Sequence, residues 1–219
     1  MVDAQPADLA RARSALLDGG VGVVPTDTVY GLAAALDSPA GVDRLYELKG
    51  RPRDQPCQVL VYSPRVLEQV LASADEVVAA ASSRLLPGPV TCIIDDTEGR
   101  FAAAAGGSPG SVGVRAPVVG PVLAGLDLPL VATSANHPGG AEPAKVPSVP
   151  EDLRVMVDFV LDAGALPGVA SSVVDLRRAA TDGVAQVLRE GPGLMVIAAA
   201  LAVEGITLDR ESCGPAALE

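Results

Sequence analysis

Two segments of the sequence carry side chains that could bind an anionic substrate. Residues 25–32 read Pro-Thr-Asp-Thr-Val-Tyr-Gly-Leu and follow the short apolar run 21–24, which predicts a buried strand. Residues 49–56 read Lys-Gly-Arg-Pro-Arg-Asp-Gln-Pro, so three cations fall within five positions, just after a predicted helix. Lysine offers a compact positive charge and arginine a planar fork of donors, and both suit phosphate and carboxylate groups. Such side chains at this spacing predict a binding site for an anion.

Two further segments end predicted strands in polar groups. Residues 111–117 read Ser-Val-Gly-Val-Arg-Ala-Pro, an alternating strand that ends at an arginine and a proline. Residues 130–136 read Leu-Val-Ala-Thr-Ser-Ala-Asn, an apolar strand that ends in hydroxyl and amide groups. Because α/β proteins bind ligands at the carboxyl ends of strands, we expect these groups to converge on one site. Taken alone, each segment is also compatible with an ordinary turn.

The elements that must position these segments alternate between strands and helices. Apolar runs predict strands, and amphipathic runs bounded by Ser, Pro or Gly predict helices. The predicted strands cover residues 21–24, 57–62, 90–94, 112–115, 130–133, 159–162, 172–176 and 184–189. The predicted helices cover residues 8–18, 38–48, 74–86, 119–126 and 194–203, with others beginning at 63 and 151. This alternation predicts an α/β fold with a largely buried sheet, and residues 95–110 predict a loop.

Composition limits the class of protein. The 219 residues suffice for one medium-sized domain, and 49% hydrophobic with 20% charged residues indicates a globular chain. The formal net charge of −11 argues against a general nucleic-acid binder, because such proteins gain most of their affinity by neutralising phosphates. A local basic patch remains compatible with this charge.

Cysteine usage and the apolar runs bear on the location of the protein. The cysteines Cys57, Cys92 and Cys213 are odd in number and lack Cys-x-x-Cys spacing, which predicts reduced thiols in a cytoplasmic protein. The first residues lack the basic and apolar regions of a secretory signal. The longest strongly apolar run, residues 194–203, is too short to cross a bilayer, so we expect no membrane association.

In this order, the segments resemble the YrdC/TsaC family of threonylcarbamoyl-AMP synthases. Residues 25–32 are similar to the family's Pro-Thr-(Glu/Asp)-Thr-Val-Tyr-Gly-Leu, residues 49–51 to its Lys-x-Arg, and residues 134–136 to its Ser-x-Asn. Residues 171–175, Ser-Ser-Val-Val-Asp, and 187–191, Val-Leu-Arg-Glu-Gly, resemble two more of its motifs. Five ordered motifs are far more specific than any one of them.

The resemblance covers residues 8–200 and implies a single YrdC-like domain of the family's short form, with tails at residues 1–7 and 204–219. It implies a twisted, open, mixed β-sheet with surrounding helices and a central concave cavity. It also implies a nucleotidyltransferase that forms threonylcarbamoyl-AMP and pyrophosphate from L-threonine, bicarbonate and ATP. The product would serve N6-threonylcarbamoyladenosine modification at tRNA position 37, with tRNA and other proteins of that pathway as partners. We expect Mg²⁺ to arrive with ATP, because the sequence offers no dedicated metal cage.

The resemblance further implies a role for each matched residue. It assigns catalysis to the two phosphate-holding cations, Lys49 and Arg51. It assigns threonine binding to Thr28, Arg115, Ala132 and Ser171. It assigns nucleotide binding to Lys49, Arg51, Gln55, Ser111, Ser134, Asn136 and Arg189. Thr26 and Tyr30 are expected to shape the pocket.

Several positions depart from the family pattern or have a simpler structural explanation. Leu60 lies where many long-form relatives have a histidine, Glu142 lies where relatives often have a hydroxyl, and Glu190 replaces a proline. We predict that Asp27 is a turn residue, since an additional anion would repel ATP. Arg115 could instead form a structural ion pair with a carboxylate.

Two other functions remain open from the sequence. The chain could form a carbamoyl-adenylate for another acceptor, as the YrdC-like domains of some carbamoyltransferases do. It could also be a non-enzymatic RNA-binding module, although the negative charge argues against this. We predict that the Pro/Gly-rich loop 137–150 closes over the site.

Overall fold

A computed structural model describes residues 2–210, which form one ten-stranded mixed β-sheet flanked by helices. The strands are β1 (Val21–Pro25), β2 (Tyr30–Ala35), β3 (Gln58–Leu60), β4 (Val90–Asp95), β5 (Ser111–Arg115), β6 (Leu130–Ser134), β7 (Phe159–Val160), β8 (Ser172–Asp175), β9 (Val184–Arg189) and β10 (Thr207–Asp209). Their order across the sheet is β10-β9-β8-β4-β5-β3-β6-β2-β1-β7. The prediction of an α/β fold with an open mixed sheet is thus confirmed.

The helices cover the two faces of this sheet. They are α1 (Pro6–Leu17), α2 (Pro39–Lys49), α3 (Pro64–Leu71), α4 (Glu76–Leu85), α5 (Ala102–Ala105), α6 (Pro121–Ala124), α7 (Glu151–Met156), α8 (Ala179–Asp182) and α9 (Leu194–Val203), with a 3₁₀ turn at Val146–Ser148. None of the helices formed by residues 2–210 combines the length and the apolar character needed to cross a lipid bilayer.

The two faces of the sheet are covered differently. On β5, Val112 and Val114 face the larger core, where they pack with side chains from α2, α3, α4 and α9. Gly113 and Arg115 alternate with them and therefore face the opposite side of the sheet. A smaller core, to which α1 and α6 contribute, covers part of that second face. The remainder of the second face is left for a cavity.

The strand register places polar groups from different strands on that face. In the centre of the sheet, Gln58 pairs with Gly113 of β5 on one side and with Ala132 of β6 on the other. Arg115 lies two residues beyond Gly113, and Ser134 lies two residues beyond Ala132 in the opposite direction, because β5 and β6 run antiparallel. The polar groups therefore lie at the carboxyl ends of β5 and β6, which point in opposite directions along the sheet, and both groups reach the same face.

Local capping explains why helices begin where the sequence predicted. The Ser38 side chain accepts a hydrogen bond from the Gly41 backbone N–H (3.2 Å) at the start of α2, and a proline follows it. The Asp75 side chain accepts one from the Val77 N–H (2.8 Å) at the start of α4. Helix α2 ends at Lys49, and Gly50 follows it with a left-handed φ of 63°, as is common at helix ends.

Several elements differ from the sequence-based predictions. Strand β2 was not predicted, and helix α5 lies within residues 95–110, which were predicted as a loop. Within the predicted tails, α1 begins at Pro6, and β10 pairs with β9 and extends the sheet beyond residue 204. These elements are short or rich in Gly and Ala, so only pairing and packing stabilise them. Met1 and residues 211–219, the rest of the predicted tails, lie outside the described residues.

Candidate functional site

A concave cavity of about 310 Å³ lies over the second face of the sheet. Its floor is built from alternate residues of neighbouring strands, Gln58 and Leu60 on β3 and Ala132 and Ser134 on β6. The turn between β1 and β2, the end of α2 and the loop after β6 form much of its walls. The predicted central concave cavity is therefore present, and its volume suits a small-molecule ligand.

The turn at residues 26–29 is held by its own hydroxyl groups. Thr26 Oγ1 accepts hydrogen bonds from the Thr28 and Val29 backbone N–H groups (both 3.1 Å) and donates to the Val29 carbonyl (2.7 Å). The Thr28 hydroxyl lies 2.9 Å from Thr26 Oγ1, within hydrogen-bond distance. Both threonines line the cavity, so the turn brings their hydroxyl groups to one part of its wall.

Arg115 is buried beneath this turn and forms an ion pair. Its guanidinium is only 1% exposed, and its Nη2 donates to the carboxylate of Asp27 and to Thr28 Oγ1 (3.4 Å), while Nη1 donates to the Val90 carbonyl (3.2 Å). The other Asp27 oxygen accepts from the Val118 N–H (3.0 Å). Burial lowers the pKa of the Arg115 guanidinium, and the charge of Asp27 opposes this effect. Asp27 is thus more than the turn residue that we predicted, because it orients Arg115.

Lys49 closes another part of the cavity. It is 3% exposed, and its Nζ donates to the carbonyls of Ser134 (2.8 Å) and Asn136 (2.6 Å) and to Asn136 Oδ1 (2.5 Å). Asn136 Oδ1 also accepts from the Ser134 hydroxyl (2.6 Å), and its amide donates to the Gly140 carbonyl (2.7 Å). Burial lowers the pKa of Lys49 to about 8, although the charge of Glu142 favours the protonated form. We call Lys49, Ser134 and Asn136 the lysine cluster.

Arg51 lies beside the lysine cluster because α2 ends between the two cations. Gly50, in its left-handed conformation, turns the chain so that Lys49 and Arg51 both line the cavity. The Arg51 Nη2 donates to the Pro56 carbonyl (2.7 Å). This bond anchors the guanidinium to the following loop.

A third set of polar side chains comes from β9, from the residue just before β8, and from β4 and β3. Arg189 Nη2 donates to the Ser171 hydroxyl (3.2 Å), Ser171 contacts the Thr91 hydroxyl (3.1 Å), and Thr91 donates to Gln58 Oε1 (3.0 Å). Burial lowers the pKa of the Arg189 guanidinium, and the nearby charge of Glu142 opposes this effect. All of these side chains line the cavity.

Among residues 2–210, Glu142 contributes the one carboxylate that lines the cavity. Its Oε2 is buried and lacks a hydrogen-bond partner in the described chain. Burial raises the pKa of Glu142, and the charges of Arg189 and Lys49 act in the opposite direction. The cavity lining therefore has four cations, including Arg51 and the Asp27-paired Arg115, and one carboxylate, so its side chains carry an excess of positive charge in a chain with a formal net charge of −11.

The cavity brings together all of the predicted site residues except Tyr30, Gln55 and Ser111. Tyr30 points away, and its hydroxyl lies within hydrogen-bond distance of Asp162 Oδ1 (3.0 Å) and of the Gly164 carbonyl (2.8 Å), sharing one proton between them. Gln55 is exposed on the loop before β3, and Ser111 bonds the Ser108 carbonyl (3.3 Å) at the start of β5. These three side chains therefore lie outside the cavity lining.

Sequence reasoning missed Gln58 and Thr91, which line the cavity from β3 and β4. The available signal was a polar residue at an inward position of an otherwise apolar strand, as in Val90-Thr91-Cys92. Within residues 2–210, no group of three or more His, Cys, Asp or Glu side chains could hold a metal ion.

The fold and site together define an α/β protein with one concave, cation-lined cavity on the face of an open mixed sheet. Comparison with known proteins narrows this class. Residues 14–191 match the family model Sua5/YciO/YrdC, which is described as "Telomere recombination". The match covers most of the sequence, and the chain belongs to this family.

Individual relatives agree with the family assignment. A threonylcarbamoyl-AMP synthase of Pyrococcus abyssi is 35% identical over 164 residues, and one of Bacillus subtilis is 31% identical over 187 residues. These matches cover 73% and 84% of this chain but only 48% and 53% of the relatives, so the chain spans about half their length. The crystal structure of Pyrococcus abyssi Sua5 complexed with L-threonine superposes with a TM-score of 0.78 at 29% identity, covering 95% of this chain and 62% of that one.

Proposed function

We propose that this protein is a threonylcarbamoyl-AMP synthase that uses L-threonine, bicarbonate and ATP. One observation carries the proposal: a single cavity holds the Arg115–Thr28 pair on one side of its floor and the lysine cluster with Arg51 on the other. A small carboxylate substrate and a triphosphate could therefore be bound side by side. The names of the relatives support these substrates, as does the L-threonine complex of the Pyrococcus abyssi protein.

The proposed chemistry requires positioning more than covalent catalysis. The neutral amine of threonine attacks the carbon of bicarbonate, and water leaves to give an N-carboxylate. An oxygen of this carbamate then attacks the α-phosphorus of ATP, and the bond to the β-phosphate oxygen breaks to release pyrophosphate. Charge develops on the phosphates, so the fixed cations Lys49, Arg51 and Arg189 would stabilise it.

In this reaction, each group of the site has a defined task. Arg115, held by Asp27, would pair with the threonine carboxylate, and Thr28 and Ser171 would contact the threonine. Ser134 and Asn136 would position the nucleotide through the loop that they anchor. The carbamate is an unstable nucleophile, so the bound substrates would have to keep bulk water away from it.

Mg²⁺ would enter as part of the nucleotide substrate, where it neutralises phosphate charge. The residues present fit this arrangement, because Mg²⁺ is usually held by one or two carboxylates together with substrate phosphates. Glu142 supplies one such carboxylate, and its buried oxygen lacks a partner in the described chain. The protein would therefore complete the coordination of a metal that the phosphates bring.

The product is a mixed anhydride of a carbamic and a phosphoric acid, so it must be used promptly. We propose that other proteins transfer its threonylcarbamoyl group to adenosine 37 of tRNA and that the reaction takes place in the cytoplasm. The buried free thiols of Cys57 and Cys92 are compatible with a reducing compartment.

The test is pyrophosphate release from ATP, Mg²⁺ and bicarbonate, with each amino acid added in turn. We expect release only when threonine and bicarbonate are both present. Release without threonine, or with carbamoyl phosphate as the donor, would instead indicate a carbamoyl-adenylate-forming protein. No release with any combination, together with steeply salt-dependent tRNA binding, would indicate an RNA-binding module.

A further inference from the structure

A series of hydrogen bonds leads from Arg189 through two hydroxyl groups to Gln58, and each of them points from donor to acceptor towards Gln58. Gln58 Oε1 cannot donate, so the Thr91 hydroxyl proton is committed to it (3.0 Å). Ser171 must then donate to Thr91 (3.1 Å), and Arg189 donates to Ser171 (3.2 Å). The Ser171 and Thr91 hydroxyls therefore each accept one hydrogen bond and donate one. The series of hydrogen bonds ends at the Gln58 carboxamide.

This chain of bonds fixes the orientation of the Gln58 amide. Because Oε1 is held by Thr91, the amino group Nε2 carries the free donors, and it makes no hydrogen bond to any residue of 2–210. Gln58 lines the cavity, so these N–H groups are available to a ligand. Gly113 lies between Gln58 and Thr91, and a Cβ there would lie 3.1 Å from Thr91 Cγ2. The missing side chain thus lets the two residues meet across β5.

Gln58 occupies the middle of the cavity floor. Gln58 is paired across the sheet with Gly113 and Ala132. Along the strands, Arg115 lies on one side of this set of paired residues and Ser134 lies on the other. Each of the two is two residues away along the strands, which corresponds to roughly 7 Å. A group bound at the Gln58 amide would therefore lie between the Arg115 ion pair and the lysine cluster.

We propose that the Gln58 amide binds the carboxylate of bicarbonate and of the carbamate formed from it, and that the bonds from Thr91, Ser171 and Arg189 position this amide. The inference rests on the proposed function and adds the binding site of the one-carbon substrate. The carbamate must lie between the amine of threonine and the α-phosphate, which is where Gln58 lies. Its donors are uncharged, so they orient the carbamate without the full charge of a cation, which would reduce its nucleophilicity.

The test compares Gln58→Met with Gln69→Met in steady-state pyrophosphate release. Methionine keeps the length of the side chain and removes the donors, and Gln69 is exposed on α3 outside the cavity. Because a hydrogen bond to an anion is worth more than a neutral one, we expect the KM for bicarbonate to rise about tenfold or more in Gln58→Met. The affinity for threonine, measured by calorimetry without bicarbonate, should stay within about twofold, and Gln69→Met should match the wild type.

Two further variants separate positioning from packing. Gln58→Glu keeps the acceptor for Thr91 and puts an anionic oxygen in place of the amino group, so it should raise the KM for bicarbonate more than methionine does. Thr91→Val removes the bond that orients the amide, and combined with Gln58→Met it should add little to the effect of Gln58→Met alone.

The outcomes separate this inference from the proposed function. Absence of turnover by the wild type would overturn both. Wild-type turnover with an unchanged KM for bicarbonate in folded Gln58→Met would overturn only the role of Gln58. An equal loss of threonine affinity without bicarbonate would also overturn it, because the amide would then bind the amino acid itself.

Discussion

Asp27 and Arg115 show how a charged pair can be both structural and functional. The carboxylate of Asp27 is 12% exposed and binds both the guanidinium and the Val118 N–H, so it fixes where Arg115 can point. An anion near a nucleotide site would repel phosphate, but this one is neutralised by the arginine. From the sequence, we expected the negative charge of Asp27 to be unfavourable near ATP. In the structure, this charge positions Arg115, which we expect to bind the substrate carboxylate.

We expect Arg115→Ala to raise the KM for threonine by at least about tenfold, because a charge-assisted bond to its carboxylate is lost. Pyrophosphate release at saturating ATP and bicarbonate measures this effect. Arg177→Ala is the control, since Arg177 forms a half-exposed ion pair with Asp175 outside the cavity lining. An unchanged threonine saturation curve in folded Arg115→Ala would refute the assignment.

Lys49 should make nucleotide binding sensitive to pH. Its pKa is lowered to about 8, so the ammonium that attracts phosphate predominates below pH 8 and is lost as the pH rises through that value. We expect the Kd of a non-hydrolysable ATP analogue, measured by calorimetry at pH 7, 8 and 9, to rise over this range. Lys49→Arg stays protonated and should lack this change. The same pH profile in both proteins would contradict the prediction.

At the scale of elements, the left-handed residue after α2, Gly50, connects Lys49 and Arg51, the two cations that we expect to bind the nucleotide. Gly50 has a φ of 63° and nothing within 4 Å of a hypothetical Cβ, so alanine there adds backbone strain without a clash. Gly99 has a φ of 67° and equally free surroundings, but it lies outside the cavity lining. The two positions therefore form a matched pair.

We expect Gly50→Ala and Gly99→Ala each to lower the free energy of unfolding by about 1 kcal/mol, the cost of a left-handed alanine. Only Gly50→Ala should also weaken binding of the ATP analogue, because only Gly50 orients Lys49 and Arg51. Urea unfolding and calorimetry give the two quantities. Equal nucleotide affinities in both variants would show that the turn does not control the cations.

The elements also show which parts of the structure local sequence can predict. Helix α9 and strand β9 lie where predicted, and α2 begins at the predicted Ser38 cap, because periodicity and capping are local signals. Strand β2 was missed because its Gly31 and three alanines have little intrinsic preference for strands. It forms because both its edges are paired, with β1 and with β6.

The same limit applies to the site. Motif matching found the cavity residues that lie in continuous segments, such as Lys49 and Arg51. It missed Gln58 and Thr91, which meet only because β3 and β4 flank the glycine of β5. It also assigned Gln55 to the nucleotide, although the chain turns that side chain outward before β3. Strand order and side-chain direction are tertiary properties, so single motifs did not predict them.

At the scale of the whole molecule, the cavity and the surface carry opposite charge. The chain has a formal net charge of −11, and the cavity holds four cations against one carboxylate within residues 2–210. A nucleotide therefore approaches through a repulsive field before it reaches attractive contacts. Salt should therefore speed the approach of the nucleotide and also weaken its contacts in the cavity.

We expect the association rate of the ATP analogue to increase when the ionic strength rises from about 20 to about 200 mM, because screening weakens long-range repulsion. The dissociation rate should increase as well, since salt also weakens the contacts with phosphate. Stopped-flow measurements separate the two rates. An association rate that falls steeply with salt would indicate an attractive field, as in a nucleic-acid binder.

The order of the strands has a consequence for how the protein behaves in concentrated solution. The sheet of residues 2–210 ends in β7 on one side and β10 on the other, and these strands have only two and three residues. An outermost strand of this length exposes too few backbone donors and acceptors to template a strand from another molecule. Strand order thus shields the long central strands from intermolecular pairing, and the two short outer strands leave this ten-stranded sheet little edge on which aggregation could begin.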